Sequence, residues 1–68
     1  MKNNVRIVRL TQKVSQTDLA EKAAVSRQTI YSVEQGRYIP STVLALKISS
    51  ILNKSIEELF VLESEDWE

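Results

Sequence analysis

Between positions 27 and 32, four of the polar side chains could share one outward side: Arg27, Gln28, Tyr31 and Ser32. A guanidinium can bridge two acceptors on the edge of guanine, and a carboxamide can bridge adenine. The hydroxyls of Tyr31 and Ser32 both donate and accept. Such a set, carried on one side of a helix, is what reading base edges in a DNA groove requires. It is equally compatible with an ordinary solvated helix face. The choice depends on what lies beneath and beside these residues.

Beneath them are Ile30 and Val33, three apart, which anchor a helix over Ser26 to Gln35. Ser26 is a good N-cap, and Gly36 stands where a glycine would end the helix. Beside this segment is a second helix, Ser15 to Ala24. Ser15-Gln16-Thr17-Asp18 resembles a capping box with Asp in the place of Glu, and Leu19, Ala20 and Ala23 form the buried stripe. The turn between the two is Ala24-Val25-Ser26, with Val25 turned inward. Small or apolar residues at Ala20, Ala24, Val25 and Ile30 let two helices meet at an angle across a tight turn. A helix with one side anchored and hydrogen-bonding ends on the other presents its first residues, Arg27 and Gln28, to bases.

Three further helices complete the expected fold. Asn4 to Lys13 carries Val5 and Val8 on one side and Ile7 and Leu10 beside them, with Asn3 or Asn4 as cap. Ser41 to Leu52 is apolar almost all round through Val43, Leu44, Leu46, Ile48, Ile51 and Leu52, which predicts a central, buried helix. Ser55 to Phe60 is a short helix with Glu57 and Glu58 in its first turn, where acids suit the helix dipole. Phe60-Val61-Leu62 is also compatible with a short strand. The expected class is all-α: five helices, with a C-terminal strand as an option.

Composition bounds the function. The chain has 68 residues, no cysteine and no histidine. Disulfides and the usual zinc sites are excluded, and no metal or cofactor is expected. Catalysis is poorly served without histidine, cysteine, a phosphate-cradling glycine loop or paired acids. Net charge is zero, but it is unevenly spread. Residues 1–40 hold seven bases and three acids, a net of +4, whereas residues 55–68 hold six acids and no base. A basic part suits phosphate, and the acidic end at residues 63–68 reads as a separate tail. No stretch is long enough to span a membrane, and no signal sequence is visible. A cytoplasmic protein with no membrane partner and no small-molecule ligand is expected.

Three segments carry a resemblance. Gln16-Thr17-Asp18-Leu19-Ala20-Glu21-Lys22, Val25-Ser26-Arg27-Gln28-Thr29-Ile30 and Val33-Glu34-Gln35-Gly36-Arg37-Tyr38-Ile39-Pro40-Ser41 together resemble the Xre family of phage Cro and lambda repressor-like regulators. The resemblance covers residues 4 to about 62. It implies a five-helix DNA-binding domain over residues 1–62 that acts in transcriptional control. It implies base contacts from Arg27, Gln28 and Ser32, with Tyr31 between them. Backbone contacts are implied for Gln16, Thr29, Arg37 and Tyr38. Arg9 and Glu34 match a pair that joins the first helix to the third in some relatives. Lys13 and Ala24 depart from the family, standing where many relatives have glycine. Either they adopt the left-handed conformation or the turns differ.

Helix-turn-helix proteins usually act as two-fold dimers on paired half-sites about 34 Å apart. Ile56, Leu59, Phe60, Val61, Leu62 and Trp67 are the candidate interface of a homodimer. The other place for them is the monomer's own core. The expected function is a repressor, a homodimer on a palindromic operator in double-stranded DNA. The alternative is an antitoxin or other protein-binding module that uses the tail Glu63-Ser64-Glu65-Asp66-Trp67-Glu68.

Overall fold

The computed structural model covers Met1–Glu68. Its helices are α1 (Val5–Thr11), α2 (Gln16–Ala23), α3 (Arg27–Glu34), α4 (Thr42–Leu52) and α5 (Ile56–Leu59). Serine starts four of them. Ser15, Ser26, Ser41 and Ser55 take extended backbone angles, and each side-chain oxygen accepts a backbone N–H from the residue three on. That contact satisfies one of the donors that every helix start leaves free. Ser55 and Glu58 form a full capping box. At α1 the arrangement differs: the side chain of Asn4 caps nothing, and Asn3 Oδ1 accepts the Val5 N–H.

Left-handed residues stop the first four helices. Lys13, Ala24, Gly36 and Asn53 have φ of 60, 58, 74 and 55°. Each is followed by a residue whose N–H reaches back five positions, as Val25 does to Ala20 and Arg37 to Ser32. This is the Schellman closure, and glycine suits it best. Lys13 and Ala24 therefore adopt the left-handed conformation in place of the family's glycines.

The chain ends meet. Strand β1 (Lys2–Asn3) pairs antiparallel with β2 (Phe60–Val61), with Lys2 opposite Val61 and Asn3 opposite Phe60. The C-terminal strand is thus present, and its partner is a segment that the sequence pattern did not mark. Residues Ser64–Trp67 form a single 3-10 turn. The Met1 ammonium lies 3.0 Å from Glu63 and 3.1 Å from Asp66.

The core is Val5, Leu19, Ala20, Ala23, Ile30, Val33, Leu44, Ile48, Leu52, Leu59 and Phe60. α2 packs on both α3 and α4, and α4 on α5. Two expectations are corrected here. α4 is not buried all round: Val43 and Leu46 are 62% and 55% exposed, because α2 and α5 cover only the Leu44, Ile48 and Leu52 side. Leu59 and Phe60 are not surface residues either. Phe60 pairs with Asn3 of β1, the Leu59 carbonyl accepts the Asn4 N–H at 2.8 Å, and both side chains enter the monomer core.

Candidate nucleic-acid interface

α3 is held from below by Ile30 and Val33, which have 0% and 1% exposure. An eight-residue helix with two anchors three apart turns its remaining positions outward. Arg27, Gln28 and Tyr31 are exposed, while Ser32 and Thr29 are half-buried. Two shallow depressions run along this outer side. One is lined by Gln16, Arg27, Gln28 and Tyr31. The other is lined by Gln28, Thr29, Ser32 and Tyr38. Seven of the eight residues expected to touch bases or backbone therefore form one surface with Gln28 at its middle. Arg37 is the eighth. It is exposed, and its N–H closes the end of α3 on the Ser32 carbonyl at 3.0 Å.

Thr29 is less free than its position suggests. Its hydroxyl lies 2.9 Å from the Ser26 hydroxyl, within the N-terminal cap of α3. That contact uses one of the hydroxyl's three hydrogen-bonding sites and leaves two for outside groups.

Arg9 and Glu34 form a buried pair between α1 and the end of α3. Arg9 Nε donates to Glu34 Oε2 at 2.7 Å, and Arg9 Nη2 donates to Oε1 at 3.2 Å. The Glu34 side chain is fully buried and that of Arg9 nearly so. Arg9 Nη1 donates to the Val14 carbonyl at 3.0 Å. Gln16 extends this group. Its Nε2 donates to Glu34 Oε1 at 3.0 Å, and its Oε1 accepts from Arg27 Nε at 3.3 Å. Sequence reading had no means to find that bridge, since its members lie 18 and 11 positions from Gln16.

A third depression, next to Gln16, is lined by Arg9, Leu10, Lys13, Val14, Ser15, Gln16, Thr17 and Arg27. It holds three bases and no acid. Lys13 and Thr17 were not singled out from the sequence. The signal was available in the basic excess of the first forty residues, which had to lie along some surface.

Three carboxyl or amino groups are perturbed, all of them away from this surface. The Glu58 carboxyl is held below its usual range by the Ser55 backbone N–H that it accepts. Asp66 is lowered by the Glu63 backbone N–H and then by the Met1 ammonium. The Met1 ammonium is raised by its contacts with Glu63 and Asp66.

A family model described as Helix-turn-helix matches residues 5–59. The chain belongs to the helix-turn-helix family. Uncharacterized HTH-type transcriptional regulators of Methanocaldococcus jannaschii and Bacillus subtilis are each 42% identical to it over 66 residues. Each match covers 97% of this chain and 100% of the relative. The restriction-modification controller protein C.AhdI from Aeromonas hydrophila superposes with a TM-score of 0.76 at 32% identity. That match covers 82% of this chain and 85% of the other. A hypothetical transcription factor, NHTF, from Neisseria shares the fold at a TM-score of 0.76 and 23% identity, covering 94% of this chain and 72% of the other. Within the family the Xre and lambda repressor-like type is the one these matches give. The protein is a DNA-binding transcriptional regulator of the helix-turn-helix family and not an enzyme.

The candidate dimer residues are divided by this helix-turn-helix domain. Leu59 and Phe60 belong to the core, and Ile56 is half-buried against it. Val61, Leu62 and Trp67 are 42%, 56% and 77% exposed. No helix is long and apolar enough to cross a membrane.

Proposed function

We propose that this protein is a cytoplasmic repressor that binds a palindromic operator as a homodimer and reads it with the outer side of α3. The observation that carries this is the single polar surface made by Arg27, Gln28, Tyr31 and Ser32 over two buried anchors. Arg27 and Gln28 lie in the first turn of α3, where groove-reading helices make base contacts. Gln16, Thr29, Arg37 and Tyr38 surround them and supply the contacts to phosphate. Phosphate contacts hold the register, and base contacts select the sequence.

A second copy supplies the second half-site. Val61, Leu62 and Trp67 remain available for that contact. Phe60, which precedes Val61 in β2, lines an apolar groove with Ile39, Leu46 and Ile56, which adds apolar surface beside that strand. The antitoxin reading is less favoured, because it needs a tail free to cap a partner. Here Glu63 and Asp66 are engaged by the Met1 ammonium.

The test is selection of bound duplexes from random DNA. A palindromic consensus is expected. Arg27→Ala and Gln28→Ala should each reduce discrimination by about 1–3 kcal/mol at the base pair each one reads. A specificity ratio unchanged in both variants would mean that α3 reads through other residues.

A further inference from the structure

The polar surface is tied to the buried interior at one point. We propose that Glu34, with Arg9 behind it, is a positioning residue for base reading: through Gln16 it fixes how Arg27 presents its guanidinium to DNA. This rests on the reading of Arg27 as a base contact.

The connection is continuous. Arg9 is fixed by three hydrogen bonds, two to Glu34 and one to the Val14 carbonyl. Glu34 is thereby fixed, and its Oε1 faces Gln16 Nε2 at 3.0 Å. Gln16 Oε1 faces Arg27 Nε at 3.3 Å. The Gln16 carboxamide can sit only one way round. Reversed, it would set an oxygen against a carboxylate and an NH2 against a guanidinium, turning two attractions into two repulsions. A flexible arginine is held in one orientation by an amide that is itself held by a buried charge.

The orientation has chemical content. A guanidinium has five N–H donors in a planar fork. With Nε spent on Gln16, Arg27 offers its two Nη groups, end on. Two donors side by side match the O6 and N7 acceptors of guanine. A free Arg27 would also present its Nε edge and could approach other acceptors. The bridge therefore narrows the choice to guanine in a single approach. Gln16 Nε2 keeps a second hydrogen, so the same amide can still contact a phosphate.

Three variants separate this from a purely structural pair and from a purely phosphate-binding Gln16. Gln16→Met removes both hydrogen bonds at nearly constant volume. Arg9→Met/Glu34→Leu removes the anchor while leaving no unpaired charge in the core. Arg27→Ala marks the base pair that Arg27 reads. The probe is the duplex that the wild-type chain selects from a random library, together with its single-base-pair variants. Arg27→Ala should erase the preference at one base pair. Gln16→Met and Arg9→Met/Glu34→Leu should each weaken that same preference by about fivefold, the effect of one lost hydrogen bond. Adding Gln16→Met to Arg27→Ala should change that preference no further.

A DNA-free readout accompanies these measurements. The Arg27 Nε–H should give a resolved, protected NMR signal in the wild type, lost in Gln16→Met and in Arg9→Met/Glu34→Leu. Equal weakening on every duplex by Gln16→Met, or an unchanged Nε–H signal in either variant, overturns the proposal. If Arg27→Ala leaves every preference intact, the base-reading role of Arg27 fails and the proposal with it. In that case the Nε–H signal still responds to Gln16→Met, which distinguishes the two failures.

Discussion

Arg9 is a charged side chain in a core otherwise built of aliphatic and aromatic groups. Its partner Glu34 has no exposed side-chain surface. A pair of this kind adds little net stability, but breaking it leaves an uncompensated charge. Arg9→Met should therefore cost about 3–5 kcal/mol in urea unfolding, much of what a domain of this size has. Arg9→Met/Glu34→Leu should recover most of that loss, because no charge remains to be desolvated. A double variant no more stable than Arg9→Met alone would show that the pair contributes something beyond its own charge balance. At this scale the sequence showed which types of group were present, but not how they connect. Arg27 and Gln28 stood out because their outward position follows from the spacing of Ile30 and Val33. The Gln16 bridge did not, because it exists only once three helices are packed.

Elements were the most legible level. Each serine cap and each apolar pair lies within a few residues, so local chemistry determines where the helices begin. The ends were harder where the expected glycine is missing. Lys13 and Ala24 hold left-handed backbone that costs a residue with a Cβ roughly 1–2 kcal/mol. Glycine removes that strain but loses some conformational entropy on folding. Ala24→Gly should stabilise the domain by up to about 1 kcal/mol, raising Tm by roughly 4–8 °C. Lys13→Gly should act in the same direction. Gly36→Ala should act oppositely: a Cβ there meets no atom within 4 Å, so the cost comes from φ alone. A pH effect belongs to α5. The Glu58 carboxyl titrates below its ordinary value of 4.5 in the folded chain. Its contribution is therefore complete above that value and is lost as pH falls through the lowered range. Glu58→Gln keeps an oxygen for the Ser55 N–H but does not titrate there. Melting curves between pH 6 and pH 3 should fall less steeply for Glu58→Gln than for the wild type.

At the scale of the whole molecule, net charge misleads and its distribution informs. The basic excess of the first forty residues places Lys13 and Arg27 beside Gln16 and leaves Arg37 exposed just past α3, whereas the charge of Arg9 is taken up by buried Glu34. Phosphate binding makes affinity fall with salt in proportion to the charges engaged. Arg37→Ala should therefore weaken all duplexes evenly and reduce the salt slope by about 1 per subunit. The meeting of the chain ends was the least legible feature. β1 and β2 are two residues each and lie almost sixty positions apart, with no periodicity to mark them. That meeting also narrows the candidate dimer contacts, because Leu59 and Phe60 lie in the core and Leu62 and Trp67 remain outside. Leu62→Glu adds a charge to a side chain that is 56% exposed in the single chain, so unfolding measured at a concentration too low for dimers should shift by no more than about 0.5 kcal/mol. If two copies join through this end, the wild type should sediment as twice its 7.8 kDa mass and the variant as a single chain. Linking two half-site contacts multiplies affinity by roughly 10²–10⁴, so the variant should lose at least about a hundredfold on a palindromic duplex. On a single half-site the two proteins should bind alike. A Leu62→Glu protein that remains dimeric would move the interface to the exposed side of α4, where Val43 and Leu46 stand uncovered.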